Sequence, residues 1–62
     1  MNYNVGDTFK SSKTGLTWIV ARVKANEKAP LGLEHCIPVR QPDWLMREYV
    51  WQDPTYFVKV KV

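Results

Sequence analysis

Apolar and polar positions alternate with a period of two in several short stretches of this chain, and turn-forming residues separate those stretches. The longest apolar run, Leu16-Thr17-Trp18-Ile19-Val20-Ala21-Arg22-Val23, follows the turn signal of Gly15. Alternation places Leu16, Trp18 and Val20 on one face and Thr17, Ile19, Ala21 and Val23 on the other. Its β-branched residues and tryptophan favour a strand over a helix. Both faces are apolar, which predicts either a bent strand shared between two halves of a barrel or a face that a partner covers.

Before this run, Val5 and Phe9 flank a Gly6-Asp7 turn and are expected to drop into the core, and residues 10–15 form a polar loop or hairpin tip. After it, residues 24–32 read as a loop. Residues 33–40 read as a second strand with Leu33, His35, Ile37 and Val39 on one side. Pro38 cannot donate to a ladder, so this strand is expected at a sheet edge. Gln41-Pro42-Asp43 is a turn. Residues 44–52 fit two elements: a helix with Asp43 as its N-cap, or a hairpin arm in which Tyr49 and Trp51 share a face. The row of Tyr49, Val50 and Trp51 favours the strand. Asp53-Pro54 is a further turn, Thr55-Tyr56-Phe57 is expected to make one tight helical turn, and residues 58–62 read as a strand with valines inward and lysines outward.

The ending Pro54-Thr55-Tyr56-Phe57-Val58-Lys59-Val60 resembles the close of an SH3-like barrel, where a proline and a tyrosine sit on a single helical turn that feeds the last strand. The opening Val5-Gly6-Asp7, followed by Trp18-Ile19-Val20, is similar to the start of many SH3-like and Tudor-like small barrels. The resemblance implies one all-β domain over residues 1–62, a barrel of about five strands with a short helix or helical turn in its C-terminal half. The acidic loop and adjacent tryptophan pair of proline-peptide-binding SH3 domains have no counterpart, so the resemblance implies the fold and not that function. In style the sequence also resembles small accessory proteins of bacteriophages and mobile elements.

Size and composition narrow the picture. A chain of 62 residues is one domain, and one so small buries only about 60% of the surface it exposes unfolded. Three Trp, three Tyr and two Phe are the available reinforcement. Cys36 is the sole cysteine, so no disulfide is expected. His35 and Cys36 alone fall short of the four ligands of a closed zinc site, and no cofactor is expected. A lone cysteine, no signal-peptide pattern and no long apolar run lead to the expectation of a cytoplasmic protein without membrane contact.

His35-Cys36 is the one pair that suggests nucleophilic chemistry, but neighbours on a strand point to opposite faces, so the imidazole is badly placed to activate the thiol. The carboxylates are dispersed and no small-molecule substrate is evident. The expectation is a non-enzymatic binding or regulatory module. Nine Lys and Arg against six Asp and Glu leave a net charge of +3, which favours an anionic partner. Nucleic acid is the first choice, through Arg22, Lys24, Arg40, Trp44, Arg47, Lys59 and Lys61, with cations on phosphates and an aromatic against a base. The alternative is a protein partner or self-association through Trp44, Leu45, Met46, Tyr49 and Trp51, residue types enriched at interface centres. Against both stands a plainer reading: Trp18, Trp51, Tyr56 and Phe57 form the core, and the lysines guard an edge strand.

Overall fold

The computed structural model describes residues 3–24 and 27–60. Its strands are β1 (Thr8–Ser11), β2 (Thr17–Val20), β3 (Ile37–Arg40), β4 (Val50–Gln52) and β5 (Phe57–Lys59), with a single 3-10 turn over Pro54–Tyr56 between the last two. All five lie in one antiparallel sheet in the order β4-β3-β2-β1-β5. The described chain is therefore nearly all β, and the tight turn before the last strand is present.

Local chemistry fixes the framework. β1 and β2 are joined through Ser12-Lys13-Thr14-Gly15. The buried Ser11 hydroxyl accepts from the Lys13 and Thr14 N–H groups, each at 3.3 Å, and Gly15 supplies the positive φ of +77° that closes the turn. The 3-10 turn starts at Asp53, whose carboxylate accepts from the Thr55 N–H at 2.9 Å, with Pro54 just inside.

The core lies on one face of the sheet. Phe9, Trp18, Val20, Ile37 and Val39 form it, and Tyr3, Trp44, Val50 and Phe57 pack against it. Val39 is wholly enclosed, as expected for the central position of β3 between two neighbours. Aromatic rings reinforce this small core: Tyr3 meets Phe9 edge-on at 5.2 Å, Phe9 stacks on Phe57 at 6.0 Å, and Trp18 meets Trp44 edge-on at 6.0 Å. Contacts of this kind contribute about 0.5–1.5 kcal/mol each beyond the area they bury.

Several expectations from the sequence are corrected. Strand pairing within residues 16–23 covers only Thr17–Val20, and Leu16 is half exposed at the hairpin closure. Val5 is also exposed, because its turn is held by backbone bonds (Gly6 N–H to Val20 O and Val20 N–H to Asp7 O, both 2.9 Å) and needs no apolar anchor.

The second strand is confined to Ile37–Arg40 and is internal, with β2 on one side and β4 on the other. Pro38 is tolerated there because its carbonyl faces β2, accepting from Ala21 N–H at 2.9 Å. Its missing N–H falls on that same side, where the ladder to β2 is ending.

Residues 44–52 are neither a helix nor a long arm. Two successive turns, closed by Trp44 N–H to Gln41 O and Glu48 N–H to Leu45 O, precede the short β4. In β5 the inward position goes to Phe57, opposite Ser11 and stacked on Phe9, so the period of two turns Val58 and Val60 outward. Lys59 falls on the inward parity at the sheet edge, where its Nζ lies 3.8 Å from Asp7 Oδ2. Lys61 lies outside the described residues.

Candidate functional site

The second apolar face of β2 is only partly covered by the fold: Ala21 is enclosed, while Ile19 and Val23 are half-buried. Past Val20 the ladder to β3 ends with Ala21 N–H on Pro38 O, and the chain leaves the sheet carrying Arg22, Val23 and Lys24 with it. On the outer face, Arg40 lies opposite Ile19 in the register of β2 and β3. Its Nη1 donates to Gln41 O at 3.3 Å and Trp44 O at 3.4 Å, which fastens the 41–48 loop across the sheet. Leu45 N–H on Glu48 Oε1 at 3.1 Å tightens the second turn of that loop.

The result is a groove of about 420 Å³. Ile19, Val23 and Met46 supply apolar floor and wall, and Arg22, Lys24, Arg40 and Arg47 supply positive charge. A second, wider groove of about 540 Å³ adjoins it and shares Lys24, Arg47 and Tyr49 with it. Its far wall is aromatic. Tyr49 and Trp51 stand perpendicular at 85°, with ring centroids 6.2 Å apart. Trp51 reaches this face because it pairs with Pro38, whose parity is outward, while Val50 turns inward against Val39.

Glu27 and Glu48 line this second groove as well. The Glu27 carboxylate near Tyr49, together with burial, pushes the phenol above its ordinary range. The charged groups around the joined grooves are thus four cations and two carboxylates.

The fold brings together four of the seven residues proposed for nucleic acid, Arg22, Lys24, Arg40 and Arg47, and sets Met46, Tyr49 and Trp51 from the interface set beside them. Trp44 is drawn away from the surface: it borders the second groove but spends its ring edge-on against Trp18. Leu45 and Met46 are exposed at the loop tip, 57% and 75% respectively. Lys59 is elsewhere, on a strand three places from β3 and beside Asp7. Sequence reading missed Glu27 and Glu48 altogether, since only the tertiary fold brings them to one groove. It did register Ile19 and Val23, as an apolar face without a cover.

His35 and Cys36 separate, but in the turn before β3 and not on a strand, a turn closed by Cys36 N–H to Leu33 O at 2.9 Å. Cys36 is buried, and burial with the nearby Asp53 carboxylate pushes its thiol upward. His35 is exposed, with Nε2 at 3.5 Å from Asp53 Oδ2. Among the described residues no group of three or more His, Cys, Asp or Glu converges, and no helix is long and apolar enough to cross a membrane. Compared with protein-family models, with curated proteins and with solved structures, the chain matches none.

Proposed function

We propose that this chain is a small SH3-like barrel that acts without catalysis as a nucleic-acid-binding module, using the groove beside β2. The strand order β4-β3-β2-β1-β5, with a 3-10 turn feeding the last strand, supports the barrel reading. One observation carries the function: Arg22, Lys24, Arg40 and Arg47, from three separate parts of the chain, line one groove over an apolar floor. Cations so gathered neutralise adjacent phosphates and release their counterions, while the floor receives sugar and base.

The test is fluorescence anisotropy with a labelled oligonucleotide across a salt series. Four phosphate contacts predict a log–log slope of about −3 to −4. Arg22→Glu with Arg47→Glu should lower affinity at least tenfold, and Lys10→Glu, on exposed β1 surface, should change it only slightly. Absence of binding at low salt, or an equal loss from Lys10→Glu, overturns the proposal.

The exposed Leu45 and Met46 favour a second reading, a protein partner or a second copy docked on the loop tip. Light scattering that finds a dimer, lost in Met46→Glu, would support it. A monomer at high concentration, with oligonucleotide affinity unaltered by Met46→Glu, would remove it.

A further inference from the structure

We infer that the groove takes a single strand, with one unstacked base seated in the corner between Tyr49 and Trp51 and its hydrogen-bonding edge read by Glu27. The inference rests on the nucleic-acid reading and deepens it. The basic groove and the aromatic groove are neighbours that share Lys24, Arg47 and Tyr49 in their linings. A strand whose phosphates lie along Arg22, Lys24 and Arg47 therefore has an aromatic recess beside it.

Two rings at 85° give a base a face to stack on and an edge wall to abut. A paired base inside a duplex has no free face to offer, so the corner selects single strands. Glu27 then biases which base enters. Its carboxylate lines the same groove as Tyr49 and Trp51, and an ionised carboxylate has about four lone-pair sites, so it has acceptor capacity for a base. It offers acceptors only, and guanine presents adjacent N1–H and N2–H donors that a carboxylate takes in parallel. Thymine presents a single N–H between two carbonyl oxygens, which a carboxylate repels. The recess is thus matched to guanine over thymine.

The probes are three labelled oligonucleotides at one salt concentration: a thymidine decamer, the same decamer with one central guanine, and a duplex of equal length. Wild-type protein should bind the decamers at least tenfold more tightly than the duplex, and the central guanine should raise affinity about threefold or more. Glu27→Gln should abolish the guanine preference while leaving binding of the all-thymidine decamer within about twofold or improving it.

Trp51→Ala should weaken single-strand binding about tenfold, in line with about 1–3 kcal/mol per stacked base. If Trp51→Ala does not fold, the Glu27→Gln comparison still decides, since Glu27 is exposed. Equal affinity for duplex and single strand, with Arg22 and Arg47 still required, overturns this inference and leaves the nucleic-acid reading standing. So does a guanine preference that survives Glu27→Gln. No binding of any of the three probes overturns both.

Discussion

Trp44 lies edge-on to Trp18 beneath a loop that Arg40 holds down through its Trp44 O and Gln41 O contacts. Its side chain is half-buried, so truncation removes core contact before it removes any surface for a partner. Full burial of Phe or Trp makes truncation to Ala cost about 3–5 kcal/mol, so Trp44→Ala should cost about 2–3 kcal/mol here. In a domain of this size that lowers the melting temperature by roughly 8 °C or more, seen by circular dichroism. A melting temperature within about 2 °C of wild type would mean that Trp44 belongs to the surface after all. Cys36 sits at the same boundary. Its thiol is buried, and burial with the Asp53 carboxylate raises it, so little thiolate forms at neutral pH. Alkylation by iodoacetamide at pH 7.5 should be at least tenfold slower in the folded protein than in denaturant, and equal rates would contradict the burial.

The β1–β2 turn is the element whose design is easiest to test. Gly15 holds a φ of +77° with open space where a Cβ would stand, so Gly15→Ala meets no clash and isolates the backbone cost. That cost is about 1–2 kcal/mol. Ser11→Ala removes the acceptor of two N–H groups and should cost about 1 kcal/mol. Additive losses in urea unfolding of the double variant would mean that the two devices act independently, and a sub-additive loss would mean that they act as one; no loss from either would refute the assignment. This turn was readable in the sequence because its chemistry is local: Gly15 follows four small or polar residues. The 3-10 turn was readable on the same grounds. Other elements depended on pairing partners that sequence does not reveal. Pro38 signals an edge, yet β3 is internal, and it tolerates the proline because the ladder on its donorless side stops there. Val58-Lys59-Val60 has the alternation of a strand with valines inward, but Phe57 competes for the inward site, stacks on Phe9, and reverses the parity. In residues 44–52 no period dominates, and the chain resolves the conflict with two turns and a three-residue strand.

At the scale of the whole molecule, local pattern says least about the site and most about what is left uncovered. Arg22 and Lys24 are separated in sequence from Arg40 and Arg47, and their meeting depends on the sheet order and on the loop that Arg40 anchors. The two-faced β2 run was nevertheless a usable signal, because so small a domain leaves Ile19 and Val23 only half-buried on the second face, although Ala21 is enclosed. That same economy makes stability sensitive to a few polar tethers outside the groove lining. Asp53 ties the β4–β5 connection to the segment leading into β3: its carboxylate accepts from the Thr55 hydroxyl and N–H, with His35 Nε2 at 3.5 Å. These donors, the Thr55 hydroxyl foremost, hold its carboxyl below the ordinary range. Backbone N–H groups, its own first and then that of Gly32, do the same for Glu34. A carboxyl lowered in the folded state contributes stability that is fully present above its unfolded value. That contribution is lost as pH falls through the folded value, because the unfolded chain then binds the proton more readily. Thermal stability should therefore be nearly level between pH 7 and about pH 5, and decline below about pH 4, where ordinary carboxylates titrate. Asp53→Asn retains an acceptor for Thr55 but has no proton to bind, so its decline should be shallower than that of wild type. Parallel acid limbs in the two proteins would show that the Asp53 tether carries none of this dependence.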